Sequence, residues 1–219
     1  MAGFLFTWAA YVLRRYACVM ETPSLHDQRL AFVTGLLLDA KAQRVLDLGC
    51  GAGRLLAKLM QEPGFTHVTG LDASASALAV ARCELAAHVA SGRLALLHGQ
   101  VFTPHPGAGD ADAVTLVEVI EHLDPQRLSE AERCVFGRYR PPLVVVTTPN
   151  VEYNPLLGLR EGQRRDPEHR FEWSRERFRS WATGVAKRNG YRVQTGGIGP
   201  NDADAGAPTQ YAVFRRSPA

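Results

Sequence analysis

The sequence predicts an α/β fold with a mostly parallel seven-stranded sheet and helices on both faces. Short apolar runs alternate along the chain with stretches whose apolar residues recur at helical spacing, which is typical of a doubly wound sheet. The run at residues 113–117 is apolar throughout, as expected for a strand buried on both faces. With 219 residues, 46% of them hydrophobic, the chain can bury one sizeable core. We expect residues 1–22 to be an N-terminal extension or helix and residues 23–219 to be a single domain.

The individual elements follow from the local pattern of apolar and turn-forming residues. Strands are expected at residues 45–48, 68–72, 94–97, 113–117, 143–146, 191–195 and 210–214. Helices are expected at residues 25–38, 54–59 and 175–189, and after an N-terminal cap at Ser74 or Ser76. Asp124 followed by Pro125 is typical of a helix cap and first helical position. The last two strands can form an antiparallel hairpin.

A glycine-rich turn links the first predicted strand to the next helix. It has the sequence GCGAG at residues 49–53. Glycines let the backbone approach a ligand closely, and the free amides at a helix N-terminus point at that ligand. The GxGxG spacing is tighter than the GxGxxG of nicotinamide and flavin enzymes. Asp72 ends the second predicted strand, where a carboxylate can accept both ribose hydroxyls of an adenosine. The pattern therefore predicts a nucleotide-containing cofactor.

The glycine turn, the acid ending the second strand and the late hairpin together resemble the class I S-adenosylmethionine-dependent methyltransferases. The resemblance covers residues 25–215 and implies that fold, with S-adenosylmethionine as cofactor. A nicotinamide enzyme is the alternative, and the turn spacing disfavours it. The residues expected to bind the cofactor are Asp47, Gly49, Cys50, Gly51, Asp72, Ala73, Gln100 and Val117.

Two carboxylates and an imidazole follow the fourth predicted strand within five residues. They are Glu118, Glu121 and His122, and they fall where open α/β sheets bind ligands. The three lysines lie before the first strand or within helices, which disfavours a lysine-assisted mechanism. A ribose hydroxyl needs a lowered pKa to react, and a metal ion can lower it. This mixed set of oxygen and nitrogen donors suits Mn²⁺ or Mg²⁺.

Three stretches resemble the RNA 3′-terminal 2′-O-methyltransferases, which act on small RNAs in eukaryotes and on repaired RNA in bacteria. They are residues 117–125 (VEVIEHLDP), 147–154 (TTPNVEYN) and 169–173 (HRFEW). The resemblance implies a catalytic metal held by two glutamates and two histidines, which map onto Glu118, Glu121, His122 and His169. It also implies selectivity for an RNA 3′ end, because the ion would bind both hydroxyls of the last ribose.

Substrate and partner expectations rest on the same resemblance. Asn150, Arg165 and Arg170 are expected to contact RNA, the two arginines because they flank His169 on a loop and suit phosphate. Residues 164–168 depart from the bacterial pattern, since they lack the second histidine usual before His169. A bacterial member would partner an RNA kinase, phosphatase and ligase repair system.

The composition indicates a cellular compartment but does not identify a partner. The net charge of +3 and pI of 8.8 permit a polyanionic partner without requiring one. Only three of 25 basic residues are lysines, and a GC-rich genome explains that bias better than a selected RNA-binding trait does. The four cysteines form no CxxC pair, which fits a reducing cytoplasm. The apolar stretch at residues 4–13 is too short and interrupted for an anchor, so no membrane association is expected.

Two other functions stay open on the sequence. The Glu-x-x-Glu-His turn also occurs in metal-independent O-methyltransferases that act on small phenols or carboxylates. A catalytically idle module that binds RNA or senses the methyl donor is the other alternative. The presence of all four candidate ligands argues against the idle module.

Overall fold

The structure, a computed structural model, describes residues 23–217 and shows the predicted seven-stranded sheet. The prediction for residues 1–22 lies outside the described residues. The strands are β1 (Arg44–Leu48), β2 (His67–Asp72), β3 (Leu94–His98), β4 (Ala113–Val117), β5 (Leu143–Pro149), β6 (Tyr191–Ile198) and β7 (Thr209–Arg216). Their order is β3-β2-β1-β4-β5-β7-β6. Only β7 runs antiparallel to its neighbours, so the sheet is mostly parallel with a late hairpin.

Six α-helices are described between residues 23 and 217. They are α1 (Leu25–Asp39), α2 (Arg54–Met60), α3 (Ala75–Glu84), α4 (Ala86–Ala90), α5 (Leu128–Glu132) and α6 (Arg175–Asn189), and a π-helical segment (Arg133–Tyr139) continues α5. Ser74 caps α3, because its side chain accepts the amide of Ala77, and Asp124 likewise accepts the amide of Gln126. None of the described helices has the length and apolar character needed to cross a membrane.

The strand and helix positions confirm the sequence prediction, with two kinds of difference. β5, β6 and β7 are each three residues longer than predicted, because β5 and β7 pair from Leu143 with Arg215 as far as Pro149 with Thr209. The extension includes Thr147 and Thr148, whose hydroxyls broke the apolar pattern although both residues are fully buried. The helix expected after Asp124 and Pro125 begins as a 3₁₀ turn (Pro125–Arg127) and continues as α5. The short helix α4 and the π-helical segment were not predicted, since five to seven residues carry too little periodicity.

A hydrophobic core covers each face of the sheet. Leu37 of α1, Leu56 of α2 and Ala81 of α3 are fully buried on one face. On the other face, Phe178 of α6 and Phe214 of β7 are buried in one cluster, and both rings contact Trp181. Close packing on both faces fixes where each parallel strand ends. The carboxyl ends of β1, β2, β4 and β5 therefore lie along one edge, which brings the glycine turn and the acidic turn after β4 together.

Candidate active site

The glycine turn adopts a conformation that requires its glycines. Gly49, Gly51 and Gly53 have φ angles of 78°, 53° and 86°, which residues with a Cβ rarely adopt. A Cβ on Gly49 would lie 2.6 Å from a methyl carbon of Val119, so the turn packs tightly against the segment after β4. A Cβ on Gly51 would meet nothing within 4 Å. Gly51 therefore faces open space in which a ligand can approach the backbone.

Asp72 closes this turn through both of its carboxylate oxygens. Oδ2 accepts the Gly51 amide and Oδ1 accepts the Ser74 amide, each at 2.7 Å. Because an ionised carboxylate offers about four lone-pair sites, both oxygens keep capacity to accept a hydroxyl. Asp72 can thus order the turn and bind a ribose diol at the same time.

The remaining predicted cofactor residues lie at or just beyond the carboxyl ends of β1 to β4. Asp47 is buried, and its Oδ1 accepts the Thr115 hydroxyl at 2.6 Å. Burial raises the pKa of Asp47 to about 7, although the Thr115 hydrogen bond opposes the shift. Cys50 packs its side chain towards Gly70. The others are the exposed Ala73 and Gln100 and the half-buried Val117. Cofactor binding by these residues stays a prediction.

A second cluster lies after β4 and contains three of the four predicted metal ligands. Glu121, His122 and His169 each offer a ligand atom, and these atoms lie within 4.8 Å of one another. The two imidazole rings meet edge to face, with centroids 4.8 Å apart. The Glu121 carbonyl accepts the amide of Arg170 at 2.7 Å, which docks the segment containing His169 onto the 3₁₀ turn Ile120–His122. We refer to Glu121, His122 and His169 as the metal cluster.

One carboxylate oxygen of Glu121 has no hydrogen-bond partner among the described residues. The residue is fully buried, and its Oε2 accepts the Thr148 hydroxyl at 3.0 Å. No group in residues 23–217 donates to its Oε1. Burial raises the pKa of Glu121 well above its ordinary value, and the neighbouring Glu118 carboxylate raises it further. A buried acceptor without a partner is unfavourable, and a cation beside it would remove that penalty.

The two histidines are in a state suited to metal binding. Burial, followed by the nearby His169 ring, lowers the pKa of His122, which favours the neutral imidazole that metals require. His169 is 6% exposed, and its Nδ1 lies 2.6 Å from the Oε1 of Glu172. That contact leaves the Nε2 of His169 available to a ligand. The donor set and its partners therefore fit a divalent cation.

Glu118, the fourth predicted ligand, lies beside the metal cluster but is engaged elsewhere. Its backbone has a φ of 57°, in the left-handed region. Its Oε1 accepts the Thr147 hydroxyl at 2.9 Å, and its Oε2 pairs with Arg29 at 3.1 Å. Burial raises the pKa of Glu118, while Arg29 and Thr147 oppose the shift. Metal ligation by Glu118 stays a prediction, and it requires the pair with Arg29 to open.

The residues predicted to contact RNA occupy two different environments. The Asn150 side chain is buried and donates to the carbonyls of the 205–207 segment. Arg165 donates to Asn154 at 2.7 Å and to two backbone carbonyls, so its guanidinium braces the loops around the metal cluster. Arg170 is exposed next to His169. Direct RNA contact by these three residues stays a prediction, and Arg170 is the most accessible of them.

Sequence reasoning missed the residues that hold the proposed ligands in place. Arg29 and Glu172 each pair with a predicted ligand, and the hydroxyls of Thr147 and Thr148 each donate to one. Two adjacent threonines at the end of an otherwise apolar strand were the available signal, because buried hydroxyls need partners. Nothing in the sequence spacing indicates that Arg29 meets Glu118.

Comparison with known proteins identifies methyltransferases as relatives of this chain. A methyltransferase-domain family matches residues 45–141. The small RNA 2′-O-methyltransferase of Rattus norvegicus is 34% identical over 206 residues, covering 89% of this chain and 52% of that protein. The solved methyltransferase domain of bacterial CtHen1-CN is 40% identical with a TM-score of 0.80, covering 88% of this chain and all of that one. The chain spans about half the length of the curated relatives it matches.

A more distant structure shares the fold. The Hen1-containing Pnkp1/Rnl/Hen1 RNA repair complex matches with a TM-score of 0.67 and 20% identity, over 89% of this chain and 42% of the matched chain. Together with the seven-stranded sheet, these likenesses establish the class I S-adenosylmethionine-dependent methyltransferase fold predicted from the sequence.

Proposed function

The chain belongs to the Hen1 family of methyltransferase domains, and we propose that it transfers a methyl group from S-adenosylmethionine to the 2′ oxygen of the 3′-terminal ribose of an RNA. The observation that carries the proposal is the metal cluster at the carboxyl edge of the sheet, next to the glycine turn. The naming of curated relatives as small RNA 2′-O-methyltransferases supports the choice of acceptor.

The glycine turn and Asp72 would hold the methyl donor. When bound, S-adenosylmethionine supplies an electrophilic methyl group. Asp72 would accept the adenosine ribose hydroxyls while its bonds to Gly51 and Ser74 keep the turn in place. Gly51 offers a close backbone approach because no atom lies where its Cβ would stand. The glycine turn and Asp72 would thus form the donor site beside the end of β4.

The metal cluster would hold Mn²⁺ or Mg²⁺, with Glu118 as the candidate fourth ligand. When bound, the cation lowers the pKa of a coordinated hydroxyl. Three features support the assignment: the unpartnered Glu121 oxygen, the neutral His122 ring and the free Nε2 of His169. Arg170, exposed beside His169, is placed to meet a backbone phosphate of the same RNA.

Substrate selectivity provides the test. The purified protein is incubated with labelled S-adenosylmethionine, Mn²⁺ and a short RNA ending in a 2′,3′-diol, a 3′-deoxyribose or a 3′-phosphate. We expect the diol to be methylated at least about 100-fold faster, since losing one metal contact removes several kcal/mol of stabilisation. Equal methylation of the three ends would contradict the proposal. His169→Ala should lose activity while donor binding remains.

A metal-independent O-methyltransferase for small molecules is the second candidate function. The pairing of Glu118 with Arg29, outside the metal cluster, favours it, because that arrangement resembles an ordinary organising ion pair. Methylation of a small phenol or carboxylate that persists in a strong chelator would support this candidate. Loss of all methylation in the chelator, with recovery on adding Mn²⁺, would exclude it.

An RNA kinase, phosphatase and ligase system in the cytoplasm is the partner set that we propose. The solved Pnkp1/Rnl/Hen1 complex supports this proposal, because that RNA repair complex combines Hen1 with Pnkp1 and Rnl. Co-purification of such a repair enzyme with this chain would support the partnership, and methylation of repaired RNA only in its presence would establish dependence.

A further inference from the structure

Glu172 is a buried carboxylate on which three hydrogen bonds converge. Its side chain is 1% exposed. Its Oε1 lies 2.6 Å from the Nδ1 of His169 and accepts the backbone amide of Arg165 at 2.8 Å. Its Oε2 accepts the side-chain amide of Asn154 at 2.6 Å. Both oxygens therefore face donors, and no solvent competes for them.

This arrangement determines which nitrogen of His169 carries the proton. The backbone amide of Arg165 donates to Oε1 of Glu172 and the side-chain amide of Asn154 donates to Oε2, so both oxygens act as acceptors. With both oxygens accepting, the proton in the contact with His169 lies on Nδ1. A neutral imidazole protonated at Nδ1 keeps its lone pair on Nε2, which is the nitrogen left for the metal cluster.

We propose that Glu172 is a positioning residue that fixes both the tautomer and the ring orientation of His169, so that Nε2 is presented beside Glu121 and His122. A carboxylate behind a metal-binding histidine has this effect in general, and its loss weakens metal binding about 10–100-fold. The consequence for metal binding rests on the proposed function, whereas the tautomer is a property of this chain alone.

The same carboxylate links His169 to the loop that carries Arg165. Asn154 donates to Glu172 through its nitrogen and accepts the Nε of Arg165 through its oxygen at 2.7 Å. Glu172, Asn154 and Arg165 thus form a closed set of contacts. Glu172 therefore connects His169 to the loop that carries Arg165.

Nitrogen-15 NMR of the histidine rings tests the proposal without any metal. The chain has seven histidines, and His169→Gln assigns the signal of interest. We expect the wild-type His169 ring to be protonated at Nδ1. Glu172→Ala should lose that preference and populate both tautomers. Glu172→Gln should keep it, because the amide oxygen can still accept from Nδ1. Asn154→Ala is the matched control, since it removes another donor to the same carboxylate but leaves the contact with His169.

Metal affinity is the second readout. In Mn²⁺ titrations followed by electron paramagnetic resonance, Glu172→Ala should weaken binding about 10–100-fold, and Glu172→Gln should stay within about threefold of wild type. Circular dichroism reports whether each variant is folded. The wild-type spectrum is decisive even if Glu172→Ala does not fold, because a His169 ring protonated at Nε2 would overturn the proposal. An unchanged tautomer in folded Glu172→Ala would also overturn it.

The two proposals fail in distinguishable ways. If wild-type protein binds no Mn²⁺ but His169 is protonated at Nδ1 and loses that preference in Glu172→Ala, the positioning role of Glu172 stands and the metal function is wrong. If Mn²⁺ binds and the Glu172→Ala variant binds it as tightly as wild type, the positioning role is wrong and the metal function stands.

Discussion

The glycine turn positions its predicted donor-binding groups through the backbone, whereas the metal cluster positions its predicted ligands through side-chain contacts. The turn and Asp72 come from two adjacent strands joined by a single helix, and their contacts involve main-chain amides. The metal cluster joins residues after β4 to His169, far along the chain, and the side chains of Glu121 and His169 have partners in Thr148 and Glu172. The proposed donor site is therefore defined by local geometry, and the proposed metal site by long-range packing.

This difference has a consequence for stability. Buried carboxylates gather at the metal cluster, since Glu121 belongs to it, Glu118 lies beside it, and burial raises the pKa of each. Next to the glycine turn the comparable group is Asp47 of β1, which a threonine hydroxyl supports just as Thr148 supports Glu121. Buried carboxylates are unfavourable until they gain a cation or a proton. The metal cluster should thus depend on its ligand far more than the glycine turn does.

The largest expected effect separates the two regions by removing one ligand. Glu121→Ala should lower methyl transfer about 10⁴-fold, equivalent to about 5.5 kcal/mol, because the metal-assisted lowering of the hydroxyl pKa is lost. Affinity for S-adenosylhomocysteine, measured by calorimetry, should change less than twofold. Glu84→Ala, an exposed acid at the end of α3, is the matched control and should match wild type in both measurements. Weakened donor binding in Glu121→Ala would show that the two regions are not separate.

The next effect concerns Asp47 and pH. Its folded pKa of about 7 lies above the unfolded value of 3.8, so its ionisation opposes folding. The stabilisation that protonated Asp47 gives the folded state is complete below about pH 4 and is lost as the pH rises through 7. Asp47→Asn removes the penalty and still offers an oxygen to Thr115. The unfolding free energy of Asp47→Asn relative to wild type should therefore rise by up to about 4 kcal/mol between pH 4 and 8. Urea denaturation of the ligand-free protein measures it, and a pH-independent difference would contradict the shift.

The third prediction disrupts the glycine turn and leaves the metal cluster intact. Asp72→Ala removes the acceptor for both the Gly51 and Ser74 amides and for the ribose hydroxyls. Donor affinity should fall about 100-fold, since charge-assisted hydrogen bonds contribute about 1.5–3 kcal/mol each. Mn²⁺ affinity should stay within about twofold of wild type. A parallel loss of Mn²⁺ binding would mean that the turn also shapes the metal cluster.

The smallest expected effect tests whether Glu118 is a ligand of the proposed metal ion. If the ion draws Glu118 away from Arg29, Glu118→Gln should weaken Mn²⁺ binding about tenfold, less than Glu121→Ala, because opening the ion pair offsets part of the gain. Electron paramagnetic resonance titration of both variants measures the ranking. Unchanged affinity in Glu118→Gln would leave Glu118 as an organising residue outside the coordination shell.

The same contrast explains what could be predicted from the sequence. The glycine turn and Asp72 were predictable because spacing along the chain determines their geometry, and the structure places them together. Glu121 and His122 were recognisable as a pair because they are neighbours in sequence. His169 came from family resemblance, since no local pattern links it to a turn so far away. The comparisons confirm that family resemblance.

The partners of the ligands could not be predicted for a physical reason. Arg29 reaches Glu118 from the first described helix, and Glu172 contacts His169 within a loop that also docks on the Glu121 carbonyl. Such contacts depend on side-chain rotamers set by the packed core rather than on local preference. Asn150 and Arg165, predicted to contact RNA, show the same limit, because their buried hydrogen bonds with protein groups carry no signature in the sequence.

Direct detection of the ligand nitrogens tests the metal cluster most sharply. Electron spin-echo spectra of Mn²⁺ bound to wild-type protein should show coupling to two histidine nitrogens. His122→Ala and His169→Ala should each retain one such coupling, and both should keep donor affinity. Bound Mn²⁺ with no histidine coupling, or with couplings unchanged by both substitutions, would contradict a metal site formed by Glu121, His122 and His169.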